Sequence, residues 1–318
     1  MTNLMKRYKY FILFLAMLFI PMMINNYTQY IVNLVLIYVL VALGFNIVLG
    51  YVGRFSFANA TFFGIGAYAV GLSMVKWNMP FWISLPMASL ITALIGILIG
   101  YPALRLHRYY LVIVTIAFMS LMQFICIHGG EFTYGPSGFD IPSPLFMGFK
   151  FSSDKSVYYI ILIILFLIFY FTTKILKSKI GRSFVAVKNS DLAAEALAID
   201  VKHTVLFAFG ISGFIVGTAG GLLAITIRRI TPDTFGIAEI TKHFVMVVLG
   251  GLGSIVGSVI GAIMITILPE FLRGIQTYQE LIYGVTIILF VFFAPEGIYG
   301  FITKYVPGVS RERLYKRQ

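Results

Sequence analysis

GRSFVAVKNSDLAAEALAID, at residues 181–200, is a polar stretch in a chain that otherwise consists almost entirely of apolar runs. It places Arg182, Lys188, Asp191, Glu195 and Asp200 close together, whereas only 11% of the 318 residues are charged and 59% are hydrophobic. The mean hydropathy of +0.94 is far above that of soluble domains of this length. The chain is therefore predicted to be an all-α integral membrane protein that leaves the membrane at this stretch.

The composition also excludes several classes of function. The net charge of +12 does not indicate a nucleic-acid partner, because the 24 Lys and Arg residues fall in short clusters between apolar runs, as topology signals do. Cys126 is the single cysteine and the four histidines have no metal-site spacing, so no disulfide, metal or other cofactor is predicted. No paired carboxylates and no nucleophile with a base occur at usable spacing, so the chain is not predicted to be an enzyme.

Six apolar runs before residue 181 are long enough to cross a membrane, which takes about 20 residues. They lie at about 8–25, 30–50, 57–75, 81–104, 109–128 and 157–173. The first run lacks a small-residue cleavage site and is therefore read as a span rather than a signal peptide. With a cytoplasmic N-terminus, the positive-inside rule places Arg54 and the basic residues of 174–182 in the cytoplasm. The loop at 128–155, rich in Gly, Pro and Ser, is then external.

The chain after residue 200 is predicted to cross the membrane four more times. The spans lie at about 201–227, 239–250, 254–272 and 278–294, with an external turn at 228–236. The total is about ten, within one permease domain at 1–318 that has a cytoplasmic loop at 174–200 and a cytoplasmic basic tail at 304–318. A count of nine or eight is left open, because a segment of about 12 residues is too short to cross alone and could be re-entrant.

The polar stretch contains a predicted short amphipathic helix, DLAAEALAI, with Asn189, Ser190 or Asp191 as its N-cap. It is too short to span and has too small an apolar face to lie in lipid, so a docking role on another protein is predicted. The alternative is a solvated cytoplasmic loop. The docking residues would be Asp191, Leu192, Ala194, Glu195, Ala196 and Leu197.

Glycines and isolated polar residues within the spans are candidates for a transport pathway or its hinges. They are Asn46, Gly50, Gly53, Ser56, Asn59, Thr115, Gln123, Gly250, Gly251 and Gly253. Glycines that interrupt helices leave backbone groups free beside a pathway. The competing interpretation is that the glycines allow close helix packing and that the polar groups bond neighbouring helices. The run GGLGSIVGS is not followed by Gly-Lys-Ser/Thr, so a nucleotide site is not predicted.

Four stretches together resemble the branched-chain amino acid permease family of ABC importers. They are GRSFVAVKNSD with AAEALAI, NIVLGYVGRFSFANATFFGIGAYAV at 46–70, YPALRLHRYYLVIVTIAF at 101–118, and the most specific block, TPDTFGIAEITKHFVMVVLGGLGSIVGSVIGAIMITILPEFLR at 231–273. Ala198 stands where the family usually has Gly and is expected to leave the docking helix intact and to stiffen it. Ala58 and the run TYGPSG at 133–138 also depart from the family pattern.

The resemblance implies an ABC-importer permease fold with a cytoplasmic coupling helix, in a bacterial cell membrane. It implies a homologous second permease subunit, two cytoplasmic ATPase subunits that dock on 181–200, and an external substrate-binding protein. The cargo would be a branched-chain amino acid, with urea or a short amide as the alternative. An ion-coupled secondary transporter is the alternative class, which would need ionisable groups inside the spans.

Overall fold

The structure is a computed structural model that describes residues 17–105, 108–146, 149–271, 281–282, 284–285, 297–298 and 300. The predicted span at 8–25 is described only from residue 17. The predicted last span at 278–294 lies largely outside the described residues, and the basic tail at 304–318 lies wholly outside them.

The described chain is mostly helical. After a helical segment at 17–23, the helices are α1 (Asn26–Asn46), α2 (Ala58–Lys76), α3 (Phe81–Arg105), α4 (Arg108–His128), α5 (Asp154–Lys177), α6 (Lys179–Asn189), α7 (Asp191–Ala196), α8 (Val201–Ile227), α9 (Ile237–Gly250) and α10 (Ile255–Phe271). A π-helical turn, Ile47–Tyr51, extends α1. Short strands are β1 (Phe139–Asp140), β2 (Leu145–Phe146), β3 (Phe149–Lys150) and β4 (Arg229–Ile230), and two 3₁₀ turns span Gly135–Ser137 and Pro232–Phe235.

Six helices in the described part are long and apolar enough to cross a membrane. They are Asn26–Tyr51, Ala58–Lys76, Phe81–Leu104, Tyr110–His128, Asp154–Lys177 and Val201–Ile227, each matching a run predicted from the sequence. The predicted total of about ten crossings is not confirmed. α9 has 14 residues, and the apolar part of α10 is shorter than the six long helices.

Helix α8 is the centre of the bundle, where it packs against α1, α2 and α3. Its glycines let the α2 backbone approach closely: a Cβ on Gly220 would lie 2.0 Å from the Phe63 carbonyl oxygen. Likewise a Cβ on Gly66 of α2 would lie 2.1 Å from the Gly217 carbonyl oxygen. Small residues at such crossings provide van der Waals contact in a membrane, where no hydrophobic force drives helices together.

The two segments that were predicted to be external meet at one end of the bundle. β1 pairs antiparallel with β4, with Phe139 opposite Ile230. From β4 the chain turns back into the bundle, and Phe235 packs against Gly64, near the middle of α2. α9 then continues to the opposite end of α1, and α10 returns, so that Glu270 hydrogen-bonds Tyr27 near the start of α1. Between β4 and the opposite end of α1, the chain therefore runs first as an irregular segment and then as the short helix α9.

Candidate functional site

Asn46 joins the end of α1 to the turn between α9 and α10. Its amide nitrogen donates to the Ser254 carbonyl at 2.9 Å and to the Ser258 hydroxyl at 2.7 Å. Its amide oxygen accepts from the Gly253 N–H at 2.8 Å. Asn46 is buried, and a buried polar group that loses its partner destabilises the fold. These bonds therefore hold the turn in one position against α1.

Gly50 stands at a position where no side chain fits. A Cβ there would lie 1.8 Å from Asn46 Oδ1 and 2.4 Å from the Gly253 nitrogen. The Gly50 carbonyl accepts a hydrogen bond from Lys188 Nζ at 2.7 Å, and Lys188 belongs to α6. We call Asn46, Gly50, Lys188 and Gly253 the clamp, because they join the polar stretch, the π-helical end of α1 and the turn before α10.

The remaining predicted glycines lie around the clamp. Gly53 has a φ of 73° and leaves room for the Lys188 stem, since a Cβ there would lie 2.9 Å from Lys188 Cγ. Gly251 and Gly253 have φ values of 118° and 80°, in the region that favours glycine. Gly250 is the last residue of α9, and a Cβ on it would lie 2.0 Å from the Gly257 carbonyl oxygen. The predicted hinge glycines at the end of α1 and those in the turn before α10 thus lie next to each other.

The predicted docking helix is present as α7. Ser190 is its N-cap, with a side chain that accepts from the Ala193 N–H at 3.3 Å. Asp191 forms a salt bridge with Arg54 at 2.7 Å, which fixes α7 to the segment between α1 and α2. Ala194 is the buried residue of α7 and faces its own chain. The two acids of α7 therefore have different surroundings, since Glu195 is exposed.

The exposed part of α7 and its C-terminal end carries both apolar and charged groups. Leu192 is 80% exposed and Leu197 is 73% exposed, in a segment that is expected to face water. Ala196 is exposed as well. Asp200 caps α8, and hydrogen bonds from the His203 N–H and ring lower the pKa of the Asp200 carboxyl. The stretch is thus a folded, anchored element with an apolar outer surface.

Besides Asn46, three of the predicted pathway residues bond neighbouring elements. Ser56 accepts from the Ala58 N–H at 3.2 Å, and Thr115 of α4 accepts from the Phe57 N–H at 2.9 Å. Asn59 Nδ2 lies 3.1 Å from His243 Nδ1. Gln123 lies apart from the clamp, beside a cavity between α2, α3 and α4.

Sequence reasoning missed a group of ionisable residues on α9. His243 is fully buried and bonds Glu239 at 3.1 Å on one ring nitrogen and Asn59 on the other. Lys242 Nζ lies 3.6 Å from the centroid of the Tyr38 ring. The i, i+4 spacing of Glu239 and His243 was the only signal in the sequence that could have indicated this pair. Ionisable groups are thus present inside the bundle.

The clamp is a set of contacts that joins separate elements of the bundle. Among the described residues, no group of three or more His, Cys, Asp and Glu side chains could hold a metal ion. The clamp instead links a surface element to two interrupted helices through backbone and amide contacts. Residues 27–294 match the family model described as branched-chain amino acid transport system / permease component.

The chain belongs to this family.

Relatives with the same kind of name cover most of the permease. This chain is 30% identical to the high-affinity branched-chain amino acid transport system permease protein LivM of Escherichia coli, and the match covers 87% of this chain and 71% of the relative. It is 28% identical to the probable branched-chain amino acid transport permease protein LivH of Methanocaldococcus jannaschii, over 82% and 88%. It is 24% identical to the permease protein BraD of Pseudomonas aeruginosa, over 87% and 97%. No solved structure gave a significant match.

The family and the six long apolar helices establish a multi-pass membrane permease. The family is one of transport components and not of enzymes.

Proposed function

We propose that the permease is the membrane-spanning subunit of an ATP-driven, binding-protein-dependent importer of branched-chain amino acids. The observation that carries the proposal is the family match over residues 27–294, together with relatives that are named as branched-chain amino acid permeases. The cargo is leucine, isoleucine or valine. ATP hydrolysis takes place on separate subunits.

The partners in this proposal follow from the exposed elements. α7 docks in a cleft of a cytoplasmic ATPase subunit, and two such subunits serve the permease and a homologous second permease. The exposed leucines Leu192 and Leu197 support this, because an apolar surface held rigidly on a salt bridge suits a protein partner. The names LivM and LivH among the relatives support a pair of permeases. An external binding protein delivers the amino acid to the end formed by 128–155 and 228–238.

The clamp gives this proposal a mechanical route. Movement of α7 on its ATPase partner reaches α1 through Arg54 and Asp191, and reaches the turn before α10 through Lys188. The π-helical end of α1 is suited to rearrangement, because π-helical turns are rare and occur frequently at functional sites. Interrupted helices of this kind are common where transport proteins change between states.

The proposed topology has ten crossings in the bacterial cell membrane, with both termini cytoplasmic. α9 with the irregular segment before it, and α10 after it, supply two of the crossings. The predicted spans at 8–25 and 278–294 supply two more. The basic residues of 174–182 then face the cytoplasm, in agreement with the positive-inside rule.

Uptake into proteoliposomes tests the proposed function. The vesicles hold the permease with its partner subunits and receive the binding protein with radiolabelled leucine outside. Uptake is expected only with ATP on the side of the ATPase subunits. Uptake without ATP but with a proton gradient would indicate an ion-coupled transporter, for which α9 supplies ionisable groups. Uptake of labelled urea in place of leucine would change the cargo and leave the class of transporter intact.

A further inference from the structure

A cavity of about 250 Å³ lies between α2, α3 and α4, at some distance from the clamp. It extends along α2 from Thr61 to Ser73 and on to Trp77, the residue that follows α2. The segments that precede α9 and follow α4 contribute Phe235 and Thr133 to its wall. The volume lies below the range of pockets that hold drug-sized ligands, so a small molecule is the occupant that fits.

The wall of the cavity is mainly aliphatic and thioether in character, as in Ile65, Leu72, Met87, Ile91 and Met119. None of the described residues that line it carries a charged side chain. This aliphatic part of the wall favours a branched hydrocarbon group, because a polar group placed against it would lose hydration without regaining hydrogen bonds.

Two threonine side chains of the wall are not explained by the fold, and the buried Tyr68 hydroxyl in the same wall is a third polar group without a partner among the described residues. Thr61 is 3% exposed and Thr133 is 4% exposed, and the hydroxyl of neither has a hydrogen-bond partner among the described residues. Buried hydroxyls are nearly always paired, so an unpaired one calls for a specific reason. Several other buried threonines of the bundle bond a carbonyl of their own helix, as Thr226 does with Leu222 at 2.8 Å, whereas Thr266 of α10 is an exception outside the cavity. The unpaired hydroxyls of Thr61 and Thr133 thus coincide with the cavity.

Further hydrogen-bonding capacity lies at the start of α9. The N-cap Gly236 provides no side-chain acceptor for the first turn of α9. A Cβ built on Gly236 would lie 3.6 Å from Gln123 Nε2, so the N-terminus of α9 lies next to an amide that lines the cavity. Helix N-termini within membrane transporters interact favourably with carboxylates.

We propose that this cavity binds the transported amino acid during its passage. The branched side chain packs against the aliphatic wall, while Thr61, Gln123 and Thr133, which are spread along the cavity, offer hydrogen bonds to the ammonium and carboxylate groups in turn as the amino acid moves past. The proposal rests on the proposed function, because it takes a branched-chain amino acid as the cargo. The family match names the transport system but no residues that contact the amino acid. The cavity would supply such a contact site and a basis for selectivity.

The hydroxyls give a test that separates binding from folding. Thr61→Val combined with Thr133→Val removes both hydroxyls without removing a hydrogen bond to any described residue, so thermal stability is expected to stay the same or to rise. Leucine uptake at concentrations of loaded binding protein below saturation is expected to fall at least fivefold. Thr226→Val, which alters a buried threonine outside the cavity, is the matched control and should keep full uptake.

The single cysteine provides a second measurement in the unaltered protein. Cys126 lines the cavity and is partly buried. In the reconstituted transporter, its labelling by N-ethylmaleimide, followed by mass spectrometry of its peptide, is expected to slow several-fold when leucine-loaded binding protein is present. Empty binding protein is the control and should leave the rate unchanged.

The outcomes separate the inference from the proposed function. A wild-type transporter that takes up no leucine overturns the proposed function. Wild-type leucine uptake that persists unchanged in the double valine variant overturns the inference alone. A labelling rate of Cys126 that does not respond to leucine-loaded binding protein also overturns the inference alone.

Discussion

Ala198 follows α7 with a φ of 57°, in the left-handed region where an L-residue crowds the following carbonyl oxygen. Its N–H donates to the Glu195 carbonyl at 2.9 Å, and the Ile199 N–H donates to the Ala194 carbonyl at 3.0 Å. Ala198 therefore lies beyond α7 and ends it. Its helix propensity does not stiffen α7, contrary to expectation, and the family's usual glycine suits the observed conformation better.

Ala198→Gly is expected to stabilise the end of α7. Glycine relieves the strain of the left-handed conformation, but it also has more conformational freedom in the open state. The net effect is expected to raise the free energy of opening the end of α7 by about 0.5–1 kcal/mol. Hydrogen exchange of the α7 amides should slow two- to fivefold, by the scale of about fivefold per kcal/mol. Ala196→Gly, a change inside α7, is the control and should speed exchange. Faster exchange in both variants would show that residue 198 is not strained.

Lys188→Met should weaken coupling while keeping most of the side-chain volume. The change removes the hydrogen bond from a charged group to the Gly50 carbonyl, which contributes about 1.5–3 kcal/mol. ATP-driven uptake is expected to fall about tenfold, with normal insertion of the protein. Lys177→Met removes the same charge from an exposed lysine at the end of α5 and should keep full uptake. Equal uptake in the two variants would exclude a role for the clamp.

At the scale of elements, the two acidic residues of α7, Asp191 and Glu195, have different surroundings and different roles. Asp191 is held by Arg54 within the chain, so its carboxylate fixes the helix in place. Glu195 is exposed one turn later and is the acid that can meet a partner. The spacing of four residues suggested that both acids shared one role on one face. The salt bridge could not be anticipated, because Arg54 lies far away in the sequence.

Glu195→Arg is expected to disrupt docking more than Glu195→Ala. A reversed charge at a partly desolvated contact costs on the order of a few kcal/mol, while alanine only removes an attraction. Uptake should fall by more than tenfold in the arginine variant, with normal insertion, and the ATPase activity of the complex should no longer respond to loaded binding protein. If this variant and a deletion of residues 192–196 both leave uptake and stimulated ATPase activity unchanged, the segment is only a solvated loop.

The elements that could be predicted are those whose signals are local. The span predicted at 81–104 is observed as Phe81–Leu104, because length and hydropathy alone determine such a segment. α9 could not be placed in the same way, since it has 14 residues and carries Glu239, Lys242 and His243. Its burial depends on Asn59 and the Tyr38 ring, which lie on other helices. The candidate glycines were found individually, but their meeting at the clamp required the three-dimensional structure.

At the scale of the whole molecule, the two ends of the bundle differ in construction. One end joins its loops by the β1–β4 pair, and Lys76 donates there to the Glu131 carbonyl. The other end has the clamp and the salt bridge of α7. A movement of α7 therefore acts directly on α1 and on the turn before α10. It reaches the β1–β4 end only along the helices, which makes the orientation in the membrane decisive for the proposed coupling.

Cysteine labelling determines that orientation. Lys155 lies in the first turn of α5 and Lys179 begins α6, two residues beyond the other end of α5, and both are exposed. Lys155→Cys and Lys179→Cys therefore each remove one charge and differ mainly in the end of α5 that they mark. With Cys126 replaced by serine, a membrane-impermeant maleimide on intact cells is expected to label position 155 and not position 179. The basic residues of 174–182 then lie inside, as the positive-inside rule requires. Labelling of both positions after the cells are opened is the control for reactivity. Labelling of position 179 alone in intact cells would place α7 outside, where no ATPase subunit could reach it, and the coupling mechanism would fail together with the topology.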